Sequence, residues 1–250
     1  MRLALALIPA LALTACGGDG GSNGSAPAAS SAPVAAVAPP AGKQWVDVVE
    51  KTADGYRQGN PNAPIKLVEY GSRNCPACGQ FGQFGAPKLR EKYIATGKVS
   101  YEFRDFLIHG APDFAAALLN QCVPTESFFG ALDQFFAHQG EFLDRTEKLV
   151  KENQAFVQQV QSQAPQQQAV AFADALGYIP FMQQMGLPEA KARQCLTDQK
   201  AADAITKVNA DAVNVHKVSG TPTFFINGEM VPNAAGWEAL EPALQAAGAR

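Results

Sequence analysis

The chain of 250 residues predicts an α/β fold that is interrupted by a helical insertion of about 100 residues. β-Branched and aromatic residues at 65–70 and 99–106 predict two core strands, one on each side of a helix that begins near Cys75. Apolar residues then recur at helical spacing between 111 and 217, before a strand pattern returns at 223–231. We therefore expect a core of residues 42–110 and 218–250 and an inserted helical subdomain of residues 111–217.

Composition excludes several classes of protein. Hydrophobic residues make up 47% of the chain and charged residues 17%, which is enough to fill a core without indicating a membrane protein or a disordered chain. The formal net charge is −3, and no basic block occurs. The sequence therefore gives no reason to expect a nucleic-acid partner.

The N-terminus has the pattern of an export signal. After Met1 and Arg2 an apolar run covers residues 3–13, about half of the roughly 20 residues that a spanning helix needs. The tetrapeptide at 13–16, Leu-Thr-Ala-Cys, resembles a bacterial lipoprotein cleavage site, in which the cysteine is acylated. We expect a lipoprotein signal peptide at 1–15 and lipidation of Cys16, and thus a membrane-anchored lipoprotein of the bacterial periplasm. The alternative is a plain signal peptide with an incidental cysteine.

Residues 16–41 are expected to be a flexible tether. They are almost entirely Gly, Ser, Ala and Pro, so they offer too little apolar surface to offset the entropy of ordering. The tether contains no heptad pattern, and we expect a monomer.

The first half of the core alternates short strands with one helix. Strands are predicted at 45–49, 56–58 and 65–70, with a turn at 59–64. The helix from Cys75 should run to about Thr96 with a kink at Pro87, and a strand should follow at 99–106.

The helical insertion and the C-terminal part have their own boundary signals. Breaks in the helical pattern are expected near Pro165, Pro180 and Pro188. Asn227-Gly228 predicts a tight hairpin because both residues tolerate positive φ, and a last helix should start at Gly236.

Cys75-Pro76-Ala77-Cys78 is the predicted site of thiol chemistry. A Cys-x-x-Cys segment that opens a helix places the first sulfur beside unpaired backbone N–H groups, which favour the thiolate. The helix dipole alone lowers a pKa by about one unit, so a larger decrease needs N–H groups near Ala77 and Cys78 to bond the sulfur. We expect Arg73 to add positive potential. Cys75 is the predicted nucleophile and Cys78 the resolving thiol.

Metal binding is the competing interpretation of this segment. Cys-x-x-Cys is half of a zinc site, which needs two further ligands at suitable spacing. The histidines are His109, His138 and His216, and no two of them have that spacing. A redox role is therefore favoured, with neither a metal nor a cofactor. His109 and His138 are expected in loops or on the surface, whereas His216 is a candidate for proton transfer.

Three features together resemble the thioredoxin fold: the Cys-x-x-Cys segment, the stretch 219–228 that contains Thr221-Pro222, and the terminal helix. The insertion, together with the segments 59–64 and 101–106, resembles the DsbA-like branch of periplasmic thiol:disulfide interchange proteins. The resemblance implies a cis Thr221–Pro222 bond that faces the cysteines and presents backbone to an extended substrate. It also implies that Glu69 is a buried acid that assists proton transfer from Cys78. The alternative for Glu69 is a surface acid at a strand end.

The resemblance implies an envelope thiol:disulfide oxidoreductase that forms or exchanges disulfides in exported proteins with cysteines and is reoxidised by a membrane redox partner. One alternative is a reductase or isomerase kept reduced by a membrane electron donor. Another is a non-catalytic lipoprotein that binds metal or a partner. Strong oxidants of this branch carry a histidine between the cysteines, whereas this chain has Pro76-Ala77, so we expect a less depressed thiol pKa and a milder oxidant. Arg104 is a candidate partner for Glu69.

Two further sets of residues carry expectations. Cys122 and Cys195 lie in the insertion, and an oxidising compartment favours a structural disulfide between them over two free thiols. Gly79, Gly82 and Gly85 fall on one side of the predicted helix that begins at Cys75. They favour close packing against the insertion, with a groove for a partner's backbone as the alternative.

Overall fold

The computed structural model describes residues 31–250. The predicted signal peptide at 1–15, the lipidation site Cys16 and the tether at 17–30 lie outside the described residues. Within residues 31–250, no helix combines the length and the apolar character needed to cross a membrane.

Six strands form one mixed sheet in the order β1-β2-β4-β3-β5-β6. Their bounds are β1 Val49–Lys51, β2 Tyr56–Gly59, β3 Ile65–Gly71, β4 Val99–Asp105, β5 Thr223–Ile226 and β6 Glu229–Met230. β3 and β4 are parallel, and the other neighbouring strands are antiparallel. The strand predicted at 45–49 is wrong in its first part, because Trp45–Asp47 form a 3₁₀ helix that buries the Trp45 ring.

The two faces of the sheet pack against different elements. Side chains alternate along β3 and β4, so that Leu67 and Phe103 join the apolar cluster around the helix that begins after Cys75. Val68 and Tyr70 point the other way and pack with Val208 of a long helix from the insertion. The sheet is thus covered on both sides, which accords with the α/β class expected from the sequence.

The helix that begins after Cys75, called the cysteine helix below, is continuous over residues 76–94. It consists of α1 (Pro76–Gln80), a π-helical turn, α2 (Ala86–Leu89) and a second π-helical turn that ends at Ile94. Pro87 has no N–H to donate, and immediately before it Ala86 N–H donates to Phe81 O, five residues back. The helix ends two residues before the predicted Thr96.

The insertion contains eight α-helices, in agreement with the helical insertion that the sequence predicts. They are α3 Ala111–Asn120, α4 Phe128–Ala137, α5 Gln139–Glu152, α6 Gln154–Gln161, α7 Pro165–Leu176, α8 Tyr178–Gln184, α9 Glu189–Leu196 and α10 Gln199–Asn214. Their apolar faces form a second core with buried aromatic side chains. The break expected near Pro180 falls at Gly177, which has a φ of 75°.

A disulfide joins Cys122, just after α3, to Cys195 in α9, with their Cα atoms 6.0 Å apart. It connects two parts of the chain that are 73 residues apart in sequence.

The C-terminal part follows the predicted order. Asn227 and Gly228 have φ values of 53° and 89° and connect β5 to β6 in a tight turn. The last helix, α11 (Trp237–Ala246), buries Trp237, Leu240 and Leu244 against the core.

The tether predicted for 16–41 is too long, because its last residues are bound to the core. Backbone N–H groups of Ser31 and Val34 donate to Ala246 O and Gly248 O, and that of Val37 donates to Thr96 O. Composition did not indicate these bonds because they are made by the backbone. Thr96 precedes β4, so this segment lies at the end of the sheet opposite to the carboxyl ends of β3 and β4.

Candidate active site

The candidate site begins at the carboxyl end of β3. Cys75 is the N-cap of α1 in an extended conformation, and Pro76 occupies the first helical turn, where a backbone N–H is not needed. Cys75 is 8% exposed, whereas Cys78 is fully buried at 0%. The difference in exposure makes Cys75 the sulfur that a substrate can reach.

The surroundings of Cys75 favour its thiolate. Hydrogen bonds from the Cys78 thiol and from the backbone N–H groups of Cys78 and Ala77 outweigh desolvation and lower the pKa of Cys75 to about 5. Most of the sulfur is therefore ionised at neutral pH, as the helix N-terminus predicts.

Cys78 has the opposite environment. Burial raises its pKa, and the hydrogen bond that it donates to Cys75 and the charge of Glu69 raise it further. The backbone N–H of Ser72 lies 3.5 Å from Cys78 Sγ. At neutral pH the pair is thus one thiolate and one protonated thiol.

The Thr221–Pro222 peptide bond is cis and lies against Cys75. Cys75 Sγ is 3.2 Å from Thr221 O. The two segments that the sequence singled out, 146 residues apart, therefore meet at one sulfur. Next to them, β5 begins at Thr223.

Glu69 lies beneath the cysteines and is 0% exposed, so the alternative of a surface acid is wrong. Its Oε2 accepts a hydrogen bond of 2.6 Å from Tyr101 Oη, and among the described residues Oε1 has no hydrogen-bond partner. Burial is the main reason that the pKa of Glu69 is raised to about 8.

Arg104 is not the partner of Glu69. In the parallel register Glu69 lies opposite Phe103, and Arg104 lies opposite Tyr70. Arg104 therefore projects from the other face of the sheet, where it bonds Tyr70 Oη and Glu102.

Arg73 is also placed differently from the prediction. Its guanidinium is buried, forms an ion pair with Asp105 and donates to Asn120 Oδ1. The carboxylate of Asp105 balances the charge, and Arg73 is not among the main causes of the low pKa of Cys75.

The glycines of the cysteine helix allow close packing, and the alternative of an open groove is wrong. A Cβ on Gly79 would overlap the Gln139 side chain, and one on Gly82 would overlap the Phe136 ring, both from the insertion. A Cβ on Gly85 would overlap the Phe81 ring and approach Trp237 of α11.

Sequence reasoning missed Gln139. Its buried Nε2 donates hydrogen bonds of 2.9 Å to both Arg73 O and Cys75 O. It therefore fixes the backbone at Cys75. The small residue at Gly79 was the available signal, since it leaves the space that this side chain fills.

The three histidines occupy different surroundings. His216 lies near Tyr70 and Phe225 on the face of the sheet opposite to the cysteine helix, with its ring centre 5.8 Å from that of Tyr70. Its predicted proton-transfer role has no support from this position. His138 is half-exposed and faces Glu141, whereas His109 belongs to a polar cluster next to the cysteines.

These groups together suit thiol–disulfide exchange. A thiolate is the attacking species in this reaction, and a buried acid with a pKa of about 8 is able to hold or accept a proton near neutral pH.

Comparisons with known proteins agree with this fold. A family model described as thioredoxin matches residues 51–246. The crystal structure of a protein-disulfide isomerase from Novosphingobium aromaticivorans is 28% identical, with a TM-score of 0.73, and the match covers 78% of this chain and 98% of that one. The crystal structure of Wolbachia pipientis alpha-DsbA1 matches with a TM-score of 0.59 over 79% of this chain and 92% of that one; at 23% identity this likeness shows the fold alone.

A curated relative from Rickettsia felis carries the provisional name protein-disulfide oxidoreductase. It is 28% identical over 175 residues, which are 70% of this chain and 54% of that protein. The chain thus spans about half the length of this relative.

Proposed function

The chain belongs to the thioredoxin family, and from this membership and the geometry of its cysteines we propose that it is a DsbA-like protein thiol:disulfide oxidoreductase. The observation that carries the proposal is the contact of Cys75 Sγ with Thr221 O, 3.2 Å away, at a sulfur whose pKa is lowered to about 5. This arrangement supports a role for Cys75 as the exchanging sulfur and for Cys78 as its redox partner.

In the oxidising direction a substrate thiolate attacks Cys75 Sγ of the Cys75–Cys78 disulfide. The S–S bond breaks, Cys78 leaves with the electron pair and takes up a proton, and a mixed disulfide forms on Cys75. The second substrate thiolate then attacks the substrate sulfur of that mixed disulfide and releases the Cys75 thiolate. The substrate gains a disulfide and the protein holds two electrons and a proton; in the reducing direction Cys78 resolves the mixed disulfide instead.

Glu69 is proposed to handle the proton on Cys78. Its carboxyl is buried, has a pKa raised to about 8 and is coupled by charge to both cysteines. Near neutral pH the protonated and ionised forms of such a group differ little in free energy, which suits proton transfer. Thr221 is proposed to pair with an extended substrate through its backbone, beside the start of β5.

The low pKa of Cys75 favours the oxidising direction. A stabilised thiolate favours the reduced protein, and a pKa of about 5 lies between the values of about 7 for thioredoxin and about 3.5 for DsbA. We propose an oxidant of intermediate strength that acts on exported proteins and is reoxidised by a membrane partner.

An isomerase is the second candidate, because the matched Novosphingobium aromaticivorans structure carries that name. Trapping the thiols in cells with an alkylating reagent separates the two functions. A mostly oxidised Cys75–Cys78 pair supports the oxidase, and a mostly reduced pair overturns it in favour of the isomerase.

The activity itself is tested by Cys75→Ser in two assays, reduction of insulin and oxidative refolding of reduced ribonuclease. The wild-type protein should be active in at least one of them, and Cys75→Ser should be inactive in both. Wild-type protein that is inactive in both would instead favour a binding lipoprotein.

We propose that a lipid on Cys16 anchors the protein in the bacterial envelope with the cysteines directed away from the membrane. Support comes from the segment at 31–37, which is bonded at the end of the sheet opposite to Cys75. Cys16→Ser should move the protein from the membrane fraction to the soluble periplasmic fraction. Retention of the variant in the membrane fraction would contradict the anchor.

A further inference from the structure

A buried carboxylate beside the cysteines has more hydrogen bonds than the proposed reaction explains. Asp113, in the first turn of α3, is 3% exposed. Its Oδ1 accepts hydrogen bonds from Ser72 Oγ at 2.7 Å and Asn74 Nδ2 at 2.8 Å. Its Oδ2 accepts from the backbone N–H of His109 at 2.7 Å and lies 3.2 Å from His109 Nδ1. All of its donors are therefore at His109 or in residues 72–75, which lead into the cysteine helix and are called the cysteine loop below.

Ser72 connects this cluster to both cysteines. Its carbonyl accepts the backbone N–H of Cys75 at 3.3 Å, and its own N–H lies 3.5 Å from Cys78 Sγ. Its hydroxyl lies 3.3 Å from His109 Nδ1. One residue thus separates the imidazole from the loop that carries the reactive sulfur.

The His109 ring contacts Asp113 on one side and is exposed to solvent on the other. Nδ1 faces the Asp113 carboxylate, while the side chain is 42% exposed. The charged and titratable groups that act on its ring are Asp113 from α3 and Cys75 from the cysteine loop. Both are negative when ionised, so both favour the imidazolium. The hydrogen bond with Asp113 is the main reason that the pKa of His109 is raised, and the charge of Cys75 raises it further.

We propose that His109, oriented by Asp113 and Ser72, is a positioning residue of the redox pair: its positive charge offsets the negative charge of the Asp113 carboxylate next to the cysteines and so favours the Cys75 thiolate. The proposal deepens the proposed function, since it rests on Cys75 being the exchanging sulfur. Its effect is electrostatic and acts through space and through the cysteine loop.

The proposal predicts a pH dependence of definite sign. Below the raised pKa of His109 the ring is positive and the thiolate is stabilised; above it the ring is neutral and this stabilisation is lost. Glu69 also interacts with Cys75, but its pKa is about 8. The thiolate titration of Cys75, whose pKa is about 5, therefore falls in the range where His109 is charged and Glu69 is protonated.

The test is the pH titration of the ultraviolet absorbance of the thiolate in reduced protein. His109→Gln should raise the midpoint by about 0.5–1 in pH, the effect of one charge several ångströms away in a partly solvated site. At pH 5 the alkylation of Cys75 should be about two- to fivefold slower than in the wild type. His109→Lys keeps a positive charge and should restore most of the midpoint.

His138→Gln is the matched control, because His138 is also a half-exposed histidine that faces a carboxylate, Glu141. It should leave the midpoint unchanged. A His109→Gln midpoint equal to that of the wild type, or one that His109→Lys fails to restore, overturns the proposal. The readout belongs to the sulfur itself, so this failure is distinguishable from the failure of the exchange assays.

Discussion

The two cysteine pairs of this chain differ both in their surroundings and in their separation along the sequence. Cys75 and Cys78 lie at the start of one helix in unlike environments, with a hydrogen-bonded thiolate beside a fully buried thiol. Cys122 and Cys195 are each partly buried, belong to separate parts of the insertion and are bonded to each other.

Because of this difference, the first pair is suited to reaction and the second to stabilising the fold. The first pair closes a loop so short that its bond restricts the unfolded chain little, and its asymmetry favours attack at one sulfur. The second pair joins residues 73 apart, so it restricts the unfolded chain strongly. We therefore expect changes at the first pair to alter chemistry and changes at the second to alter stability.

The largest effect is expected from Cys78→Ser. In the reducing direction, assayed with insulin, it leaves the Cys75 thiolate able to attack a substrate disulfide but removes the group that resolves the mixed disulfide. Turnover should fall by about a thousandfold or more, as for loss of a nucleophile that acts in a unit. Covalent complexes on Cys75 should accumulate and be visible on non-reducing gels. Rapid turnover without such complexes would show that Cys78 is not the resolving thiol.

The double variant Cys122→Ser/Cys195→Ser examines the other pair. The free energy of unfolding should fall by about 4 kcal/mol, the chain-entropy value for a loop of this length. Denaturant titration of oxidised protein measures it. The rate constant for exchange at Cys75 should stay within about twofold of the wild type at temperatures where the variant is folded. A large loss of exchange in folded protein would remove the distinction between the pairs.

The sequence predicted several elements of the fold well because they depend on local signals. Cys-x-x-Cys at a helix start and Asn227-Gly228 in a hairpin are fixed by a few neighbouring residues. The helical insertion followed from periodicity, which the structure confirms.

The partners of the site residues were harder to predict, because they depend on strand register and on long-range packing. Glu69 bonds Tyr101 rather than Arg104, since a shift of one residue moves a side chain to the other face. Asp113 and Gln139 come from helices whose distance from Cys75 no local pattern encodes. The segment at 31–37 binds through backbone groups, which side-chain composition does not reveal.

Glu69→Gln tests whether the buried acid next to the first cysteine pair lowers the free energy of unfolding. The pKa of Glu69 is raised to about 8, so between about pH 4.5 and 8 the folded protein keeps a proton that the unfolded chain releases. Stability from this group is therefore lost as the pH rises through that window. Glu69→Gln should remove this loss and be more stable than the wild type by roughly 2–4 kcal/mol at pH 8, with little difference at pH 4.

Urea titrations at the two pH values measure this difference. The same variant should slow resolution by Cys78 about tenfold, because the proton acceptor is gone. Tyr101→Phe serves as the control: it removes the hydrogen bond that lowers the pKa of Glu69 but keeps the acid, so the loss of stability with pH should remain. Equal pH dependence in Glu69→Gln and the wild type would contradict the raised pKa.

The smallest effect is expected from Gly79→Ala, which tests whether the insertion positions the reactive pair. Alanine is the better helix former by about 1 kcal/mol, but its Cβ would overlap the Gln139 side chain. Gln139 can move only by giving up its hydrogen bonds to Arg73 O and Cys75 O, each of which contributes about 1 kcal/mol. We expect the free energy of unfolding to fall by about 1–2 kcal/mol, with a measurable change in the thiolate midpoint of Cys75.

Gly130→Ala is the control, at a helical glycine of α4 with nothing within 4 Å of the added Cβ; it should instead stabilise the protein by about 0.5–1 kcal/mol. If both substitutions stabilise the protein and leave the midpoint unchanged, Gln139 does not hold the loop, and the asymmetry of Cys75 and Cys78 must arise within the cysteine helix itself.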